Sequence, residues 1–135
     1  EKRLKSIAKE NIKFLGWKSD QERNQFISEC RAFVFPGEDD FGLTPVEAMA
    51  AGRPVIALNS GGATETVVSG KTGEFFSQTD KIDDLVKTVN KVEKNYSSYK
   101  SEVCKNQAKK FSKEVFITNF KNYIEQKYRE FKNES

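Results

Sequence analysis

Hydrophobic and polar residues follow two different periods along this chain, and the changes of period mark predicted strands and helices. Short, almost fully apolar runs are typical of parallel strands that are covered on both faces. Four short strands are predicted, at residues 11–16, 32–35, 54–58 and 73–76. Because helical segments separate them, the pattern predicts a parallel α/β sheet with right-handed crossovers.

Amphipathic periodicity and capping residues locate the helices. Ser19 and Glu22 have the spacing of a capping box, in which each side chain satisfies a backbone N–H at the start of a helix. Thr79 and Asp80 are predicted to cap another helix, whose apolar face consists of Ile82, Leu85, Val86, Val89 and Val92. The other predicted helices cover residues 1–10, 19–30, 44–51, 63–69 and 97–110, and a last helix begins at Ser112.

Length and charge narrow the class of protein. A chain of 135 residues can form one domain with its own core, and we predict a single domain over residues 1–135. The net charge is only +3 and the charges are mixed, so the positive block typical of nucleic-acid-binding proteins is missing. No apolar run is long enough to span a membrane. No signal peptide is visible, although the chain begins with Glu1 and its true start can lie upstream.

Cysteine and histidine content narrows the chemistry. Cys30 and Cys104 are far apart and form no Cys-x-x-Cys pair, which favours two reduced thiols in a cytoplasmic protein. The chain has no histidine, which excludes histidine-based triads, metal sites and general bases within these residues. Any chemistry that this chain supports must therefore use carboxylates, backbone dipoles and cations.

The segment from Phe33 to Leu58 is the most informative part of the chain. Its glycine, Gly42, lets the backbone approach a ligand closely, so that neighbouring N–H groups can converge on a pyrophosphate at a helix N-terminus. These are the N–H groups of Gly42, Leu43 and Thr44. An ordinary tight turn is the alternative. Phe41 suits packing beneath this loop better than stacking on a ligand.

Glu47 allows two interpretations. Thr44, Pro45 and Glu47 have the spacing of a capping box with proline at the first helical position, so the carboxylate can simply cap its own helix. Alternatively, the carboxylate lies at the open end of the helix and accepts hydrogen bonds from a ribose, as acidic residues do in nucleotide-binding folds.

Three consecutive acids, Glu38, Asp39 and Asp40, precede this helix. They could hold a divalent metal, form a solvated loop, or bind sugar hydroxyls. Acids beside a phosphate site repel the substrate unless a metal or hydroxyls intervene. We favour hydroxyl recognition by one of them and solvent exposure for the others.

The same segment resembles the signature of retaining glycosyltransferases with the GT-B fold, specifically family four (glycosyl transferases group 1). Members carry a Glu-x7-Glu motif within a longer pattern of the form Phe-Pro-Ser…Glu-Gly-Phe-Gly-Leu-Pro-x-x-Glu-Ala-Met-Ala-x-Gly-x-Pro-Val. Here Phe35-Pro36-Gly37 is followed by an equivalent run from Asp39 to Val55. The second glutamate of the motif falls on Glu47 and the first on Asp39. Further similarities are Phe14-Leu15-Gly16-Trp17, Gly61-Gly62-x-x-Glu65 and Lys71-Thr72-Gly73.

The resemblance implies roles for several residues of this chain. Glu47 would bind the ribose hydroxyls of a nucleotide sugar and Asp39 would face the transferred sugar, and both are assigned to the catalytic set. Backbone near Trp17 and Lys18 would meet the base, and Trp17 would stack on that base or pack half-buried. The predicted donor-binding residues are Trp17, Lys18, Phe41, Gly42, Leu43, Thr44 and Glu47. The resemblance implies no metal and no cofactor, the substrate being GDP-mannose or a UDP-sugar.

The resemblance also implies that parts of the enzyme lie outside this chain. An acceptor-binding N-terminal domain and an upstream Arg–Lys pair would complete the cleft, and Arg53 and Lys71 do not occupy the positions of that pair. The chain is expected to be the later part of a donor-binding domain, a partial Rossmann-like sheet with C-terminal helices. A gap is then expected between the strands at Ile12 and Phe33. Rearrangement of the sheet, pairing of two chains in a dimer, or a longer natural protein would close it.

The last predicted helix has an apolar side formed by Val115, Phe116, Phe120, Tyr123, Ile124, Tyr128 and Phe131. This side suits packing in the core, docking on the absent N-terminal domain, or contact with a membrane surface. Four basic residues on the helix are compatible with the third alternative, namely Lys121, Lys127, Arg129 and Lys132.

The predicted function is transfer of a hexosyl or mannosyl group from a nucleotide sugar to a glycan or lipid-linked acceptor with retention, with this chain as the donor-binding part. Mannosyltransferases of bacterial polysaccharide biosynthesis are the nearest subgroup by pattern. The expected location is cytoplasmic, with peripheral contact at the cytoplasmic membrane. We expect no turnover by residues 1–135 alone. The alternative is a non-catalytic α/β module that binds a nucleotide or a partner protein.

Overall fold

The computed structural model describes residues 2–77 and 82–133, which form an α/β fold with a small parallel sheet. Two helices precede the sheet, α1 (Lys2–Ile7) and α2 (Asp20–Glu29). Strands and helices then alternate through β1 (Phe33–Phe35), α3 (Leu43–Ala50), β2 (Val55–Leu58), α4 (Ala63–Thr66), β3 (Gly73–Phe76) and α5 (Asp83–Lys94). A 3-10 turn (Tyr96–Ser98), α6 (Ser101–Lys109) and α7 (Lys113–Asn133) follow. The predicted cap at Thr79 and Asp80 lies outside the described residues.

The three strands pair in the order β1-β2-β3 and all run parallel. Phe33 is paired with Val55, and Val55 is in turn paired with Gly73. All four residues of the central strand β2 are buried, which explains why its sequence is a continuous apolar run. The predicted parallel α/β class is therefore confirmed.

The strand predicted at residues 11–16 is wrong, because this segment is irregular in the structure. Ile12, Phe14 and Leu15 are 52%, 39% and 46% exposed. A strand needs a neighbour that satisfies its backbone N–H and C=O groups, and propensity alone does not supply one. Within the described residues, no strand pairs with the edge of β1 opposite β2, so the gap expected between two strands is an unpaired sheet edge.

The core has two sides, because alternate residues of β2 point to opposite faces of the sheet. Val55 and Ala57 pack with a cluster from α2, α3, α4 and α6 that includes Ile27, Met49 and Cys104. Ile56 and Leu58 pack on the other face, in a cluster formed by Ile56, Leu58, Phe76, Val92 and Tyr99. Both cysteines are free thiols, as the sequence predicts.

A buried carboxylate joins several elements on the second face. Glu74 on β3 is only 4% exposed. It accepts hydrogen bonds from the Ser69 hydroxyl and from the Tyr99 hydroxyl, each at 2.8 Å. The Lys91 ammonium on α5 lies 2.8 Å from the Oε2 atom of Glu74. Burial raises the pKa of Glu74, but the hydrogen bonds and the charge of Lys91 outweigh burial, and its pKa lies below the usual value.

The C-terminal helices differ from their predictions. The helix predicted at residues 97–110 is divided into the 3-10 turn and α6. The last helix begins after Ser112 as predicted, and the Ser112 hydroxyl accepts a hydrogen bond from the Val115 N–H at 3.3 Å. None of the described residues of α7 is buried, so packing of its apolar side in the core is ruled out. No helix in residues 2–77 or 82–133 is both long and apolar enough to cross a bilayer.

Candidate functional site

The loop between β1 and α3 is held against the loop between β2 and α4 by direct backbone contact. The Gly62 N–H donates a hydrogen bond to the Asp39 carbonyl at 2.8 Å. A Cβ atom on Gly62 would lie 2.3 Å from the Phe41 Cα, and one on Gly61 would lie 2.5 Å from the Asp39 carbonyl oxygen. Because backbone occupies the space of both side chains, the Gly61–Gly62 pair is required for the two loops to meet.

Helix α3 begins one residue earlier than predicted, and its start is not capped by a side chain. Gly42 is the N-cap residue with φ +75°, in the left-handed region that favours glycine, and Leu43 is the first helical residue. The predicted capping box of Thr44 and Glu47 is therefore wrong. The N–H groups of the first turn lack a side-chain acceptor, which leaves them suited to an anion.

The Glu47 carboxylate instead faces α2. Its Oε1 lies 3.6 Å from the Arg23 Nη2, and 45% of its side chain is exposed. The same guanidinium lies 3.3 Å from the Asp20 carboxylate through Nη1. Glu47 also lines a depression of about 230 Å³ with Asn24, Ile27, Ala50 and Ala51. The carboxylate that the sequence assigns to a ligand is thus free of its own helix and paired with a cation.

A larger cleft of about 550 Å³ opens between the segment before α2, α2 itself and β1. Three of the predicted donor-binding residues line it, namely Trp17, Lys18 and Thr44. Trp17 is 88% exposed, so the alternative of a half-buried tryptophan is wrong. The Lys18 ammonium lies 3.2 Å from the Glu22 carboxylate, beside the Ser19–Glu22 capping box, which the structure confirms. Phe26, Phe33 and Val34 give the cleft an apolar wall.

The remaining predicted residues lie along the β1–α3 loop. The Asp39 carboxylate accepts a hydrogen bond from the Asp40 N–H at 2.8 Å, and both residues are exposed. The Phe41 ring packs edge-on against Phe111, with ring centroids 5.8 Å apart, as expected for a residue that supports the loop. Leu43 is 66% exposed at the start of α3. Within the described residues, no group of three or more acidic or cysteine side chains is arranged to hold a metal.

Arg23 is the residue of this region that sequence reasoning missed. It lines the 550 Å³ cleft together with Trp17 and Lys18, and it also contacts Glu47. Arg23 therefore connects the residues predicted to meet the base with the residue predicted to bind the ribose. A signal was present, because Arg23 precedes the buried Ile27 by four residues on α2. Residues four apart lie on the same helix face, so a cation at this spacing faces the rest of the fold.

Comparison with known proteins agrees with this architecture. The family described as "Glycosyl transferases group 1" matches residues 1–111. The alpha-1,3/1,6-mannosyltransferase ALG2 of Dictyostelium discoideum is 38% identical over 95 residues, which cover 66% of this chain and 22% of that protein. An uncharacterized glycosyltransferase of Methanocaldococcus jannaschii is 32% identical over 119 residues, which cover 86% of this chain and 34% of that protein.

Two solved structures share the fold. Sucrose-phosphate synthase from Thermosynechococcus elongatus superposes with a TM-score of 0.72 at 24% identity, over 91% of this chain and 31% of that one. Anabaena HepE in complex with UDP-glucose superposes with a TM-score of 0.68 at 23% identity, over 96% of this chain and 35% of that one. The chain thus spans only 22% to 35% of the length of these four proteins.

The family match covers the run from Asp39 to Val55 and the Gly61–Gly62 contact, which together shape the loops before α3 and α4. The likeness to the solved structures, at less than 25% identity, is a likeness of fold. This chain therefore belongs to the glycosyl transferases group 1 family.

Proposed function

We propose that this chain is the donor-binding part of a retaining glycosyltransferase that transfers a hexosyl group, mannosyl in particular, from a nucleotide sugar to a glycan or lipid-linked acceptor. The observation that carries the proposal is the start of α3. Its first-turn N–H groups lack a side-chain cap, and the Glu47 carboxylate is not used by its own helix. Phosphate favours such N–H groups and ribose hydroxyls favour such a carboxylate.

In this proposal each group acts by binding and orientation. The N–H groups around Gly42 to Thr44 hold the diphosphate, and the helix dipole stabilises the charge that develops on it as the sugar leaves. Glu47 accepts hydrogen bonds from ribose and Asp39 from the transferred sugar. Trp17 and Lys18 meet the base in the 550 Å³ cleft. Holding the donor in a reactive geometry supplies the remaining rate enhancement, and no protein nucleophile is needed.

The mannosyl assignment draws support from the similarity to the alpha-1,3/1,6-mannosyltransferase ALG2 of Dictyostelium discoideum, and GDP-mannose is the donor proposed for it. A UDP-sugar donor draws support from the UDP-glucose in complex with HepE. An acceptor would bind on a domain outside these residues, so residues 1–135 alone are expected to turn over no donor. Cytoplasmic location with peripheral contact at the cytoplasmic membrane completes the proposal.

Calorimetric titration of residues 1–135 with UDP, GDP and their sugar conjugates tests the proposal. We expect Glu47→Ala to weaken nucleotide binding about 10- to 100-fold, because one charge-assisted hydrogen-bonded contact contributes about 1.5–3 kcal/mol. Asp39→Asn should weaken the binding of a nucleotide sugar more than that of the bare diphosphate.

Glu102→Ala is the matched control. Glu102 is an exposed carboxylate on α6 whose ion pair with Lys105 measures 3.5 Å, similar to that of Glu47. This variant should bind nucleotides like the unsubstituted chain, and circular dichroism should show that all variants are folded. If the unsubstituted chain binds none of the nucleotides, the alternative of a non-catalytic α/β module is supported instead.

A further inference from the structure

Resting on the proposed function, we infer that Arg23 is a positioning residue that holds the Glu47 carboxylate for the ribose and so sets the preference for ribonucleotide over deoxyribonucleotide donors. The geometry points to this through a chain of contacts. Arg23 lines the 550 Å³ cleft, its Nη2 lies 3.6 Å from the Glu47 Oε1, and its Nη1 lies 3.3 Å from the Asp20 carboxylate.

The distance between Arg23 and Glu47 leaves the carboxylate able to bind a ligand. At 3.6 Å the two groups attract as ions, but they are too far apart for a good hydrogen bond. The Glu47 carboxylate therefore remains able to accept hydrogen bonds from a ligand while the nearby cation attracts it and restrains its position. A carboxylate with two short hydrogen bonds to the protein would have fewer lone pairs left for a ligand.

Contacts of α2 restrain the orientation of the Arg23 side chain. Arg23 stands on the first turn of α2, where its N–H donates to the Ser19 carbonyl at 2.9 Å. The Ser19–Glu22 capping box fixes the helix start, and the buried Ile27 anchors the next turn against the core. Asp20 takes the other arm of the planar guanidinium, whose fork suits two carboxylates at once. These contacts restrain the orientation of the group that faces Glu47.

The ion pair between Arg23 and Glu47 contributes little to the stability of the fold. The side chains of Arg23 and Glu47 are both 45% exposed, and an exposed ion pair of this kind contributes little to folding. Removing the guanidinium should therefore leave the fold intact and change only what Glu47 does. This separates a role in ligand recognition from a structural role.

The test measures the binding of UDP and GDP against their 2′-deoxy and 3′-deoxy forms by residues 1–135. We expect the unsubstituted chain to prefer a ribose form by about tenfold, the equivalent of one hydrogen bond to a charged group. Arg23→Gln should reduce that preference to about threefold or less, and Arg23→Lys should recover part of it because the charge is kept and the fork is lost.

A double-mutant cycle adds a second measurement. If Arg23 acts through Glu47, then Arg23→Gln combined with Glu47→Gln should bind ribonucleotides no more weakly than Glu47→Gln alone. Arg31→Gln is the control, because Arg31 also forms an exposed ion pair, with Glu93 at 2.9 Å, and does not line the cleft. That variant should keep the full preference for ribose.

These binding measurements distinguish a failure of the proposed function from a failure of the role inferred for Arg23. No nucleotide binding by the unsubstituted chain overturns the proposed function and this inference with it. Loss of the ribose preference in Glu47→Gln but not in Arg23→Gln overturns the inference alone. An equal weakening of ribose and deoxyribose forms in Arg23→Gln, with additive effects in the cycle, also overturns it, because Arg23 would then contact the phosphates or the base directly.

Discussion

Gly62 lies where the backbones of two loops touch, and a side chain there has no room. The atoms that a Cβ would meet belong to the backbone of Phe41 and Asp40, at 2.3 Å and 2.5 Å. Backbone cannot move aside as the end of a flexible side chain can. A single methyl group at this position would therefore displace the β1–α3 loop that carries Asp39 and leads into α3.

We predict that Gly62→Ala lowers the free energy of unfolding by about 1–3 kcal/mol, the usual cost of overpacking, and weakens nucleotide binding through displacement of the loop. Chemical denaturation and calorimetric titration would measure the two effects. Gly37→Ala is the matched control in the same loop, because its Cβ would meet only the Phe35 ring, at 3.8 Å. Equal stability of the two variants would show that the loops do not depend on this contact.

Also at the residue scale, the buried Glu74 carboxylate makes the stability of the fold depend on pH. Since its folded pKa is lowered, the ionised carboxylate stabilises the fold above the unfolded pKa of about 4.3. This contribution is lost as the pH falls through the folded pKa. We therefore expect Glu74→Gln to be less stable than the unsubstituted chain at pH 7, and the difference to shrink on acidification.

Denaturation midpoints at pH 7 and pH 3.5 would measure this difference. Glu102→Gln, an exposed carboxylate with a same-helix partner, is the control and should show almost no difference at either pH. A difference for Glu74→Gln that grows on acidification would mean that the carboxylate is held protonated in the fold, contrary to the hydrogen bonds that it accepts from Ser69 and Tyr99.

At the scale of elements, α2 begins at a capping box formed by neighbouring residues, and this helix carries Arg23 of the candidate site. The Ser19 hydroxyl accepts a hydrogen bond from the Glu22 N–H, and the Glu22 carboxylate accepts one from the Ser19 N–H. Both bonds depend only on residues three apart, so the sequence predicted them correctly. Residues 11–16, in contrast, have the composition of a strand and form none, because a strand depends on a neighbour elsewhere in the fold.

We predict that Ser19→Ala destabilises the protein by about 1 kcal/mol, the usual cost of losing an N-cap side chain. Because Arg23 stands on the turn that this cap holds, nucleotide binding should also weaken slightly. Ser28→Ala in the same helix is the control, since its hydroxyl only bonds back to the Gln25 carbonyl. Thermal unfolding of the two variants would show the difference, and equal midpoints would mean that the capping box contributes nothing.

At the scale of the whole molecule, apolar surface is distributed unevenly. The sheet and α2 to α6 enclose the core, whereas none of the described residues of α7 is buried. Phe116, Tyr128 and Phe131 are each more than half exposed. The long C-terminal helix therefore adds apolar surface to the molecule without adding to its core.

A chain that ends at Ser112 should unfold within about 4 °C of the full chain, because α7 contributes no buried residue. Binding of the hydrophobic dye ANS should fall at the same time, because the exposed aromatic residues are removed. Differential scanning calorimetry and dye fluorescence would test this. A fall in the unfolding temperature well beyond that range would show that α7 packs on the rest of the chain in solution.

The sequence by itself determined the order of elements from β1 to β3, the capping box of α2, the start of α7 and the membership in a glycosyltransferase family. These features depend on short-range periodicity, on residues a few positions apart, and on a motif that can be compared directly. Only the tertiary structure decided that Glu47 does not cap α3, that Arg23 faces it, that Gly61 and Gly62 hold two loops together, and that residues 11–16 form no strand. Each of those depends on contacts between residues far apart in the chain, which are fixed only when the elements pack.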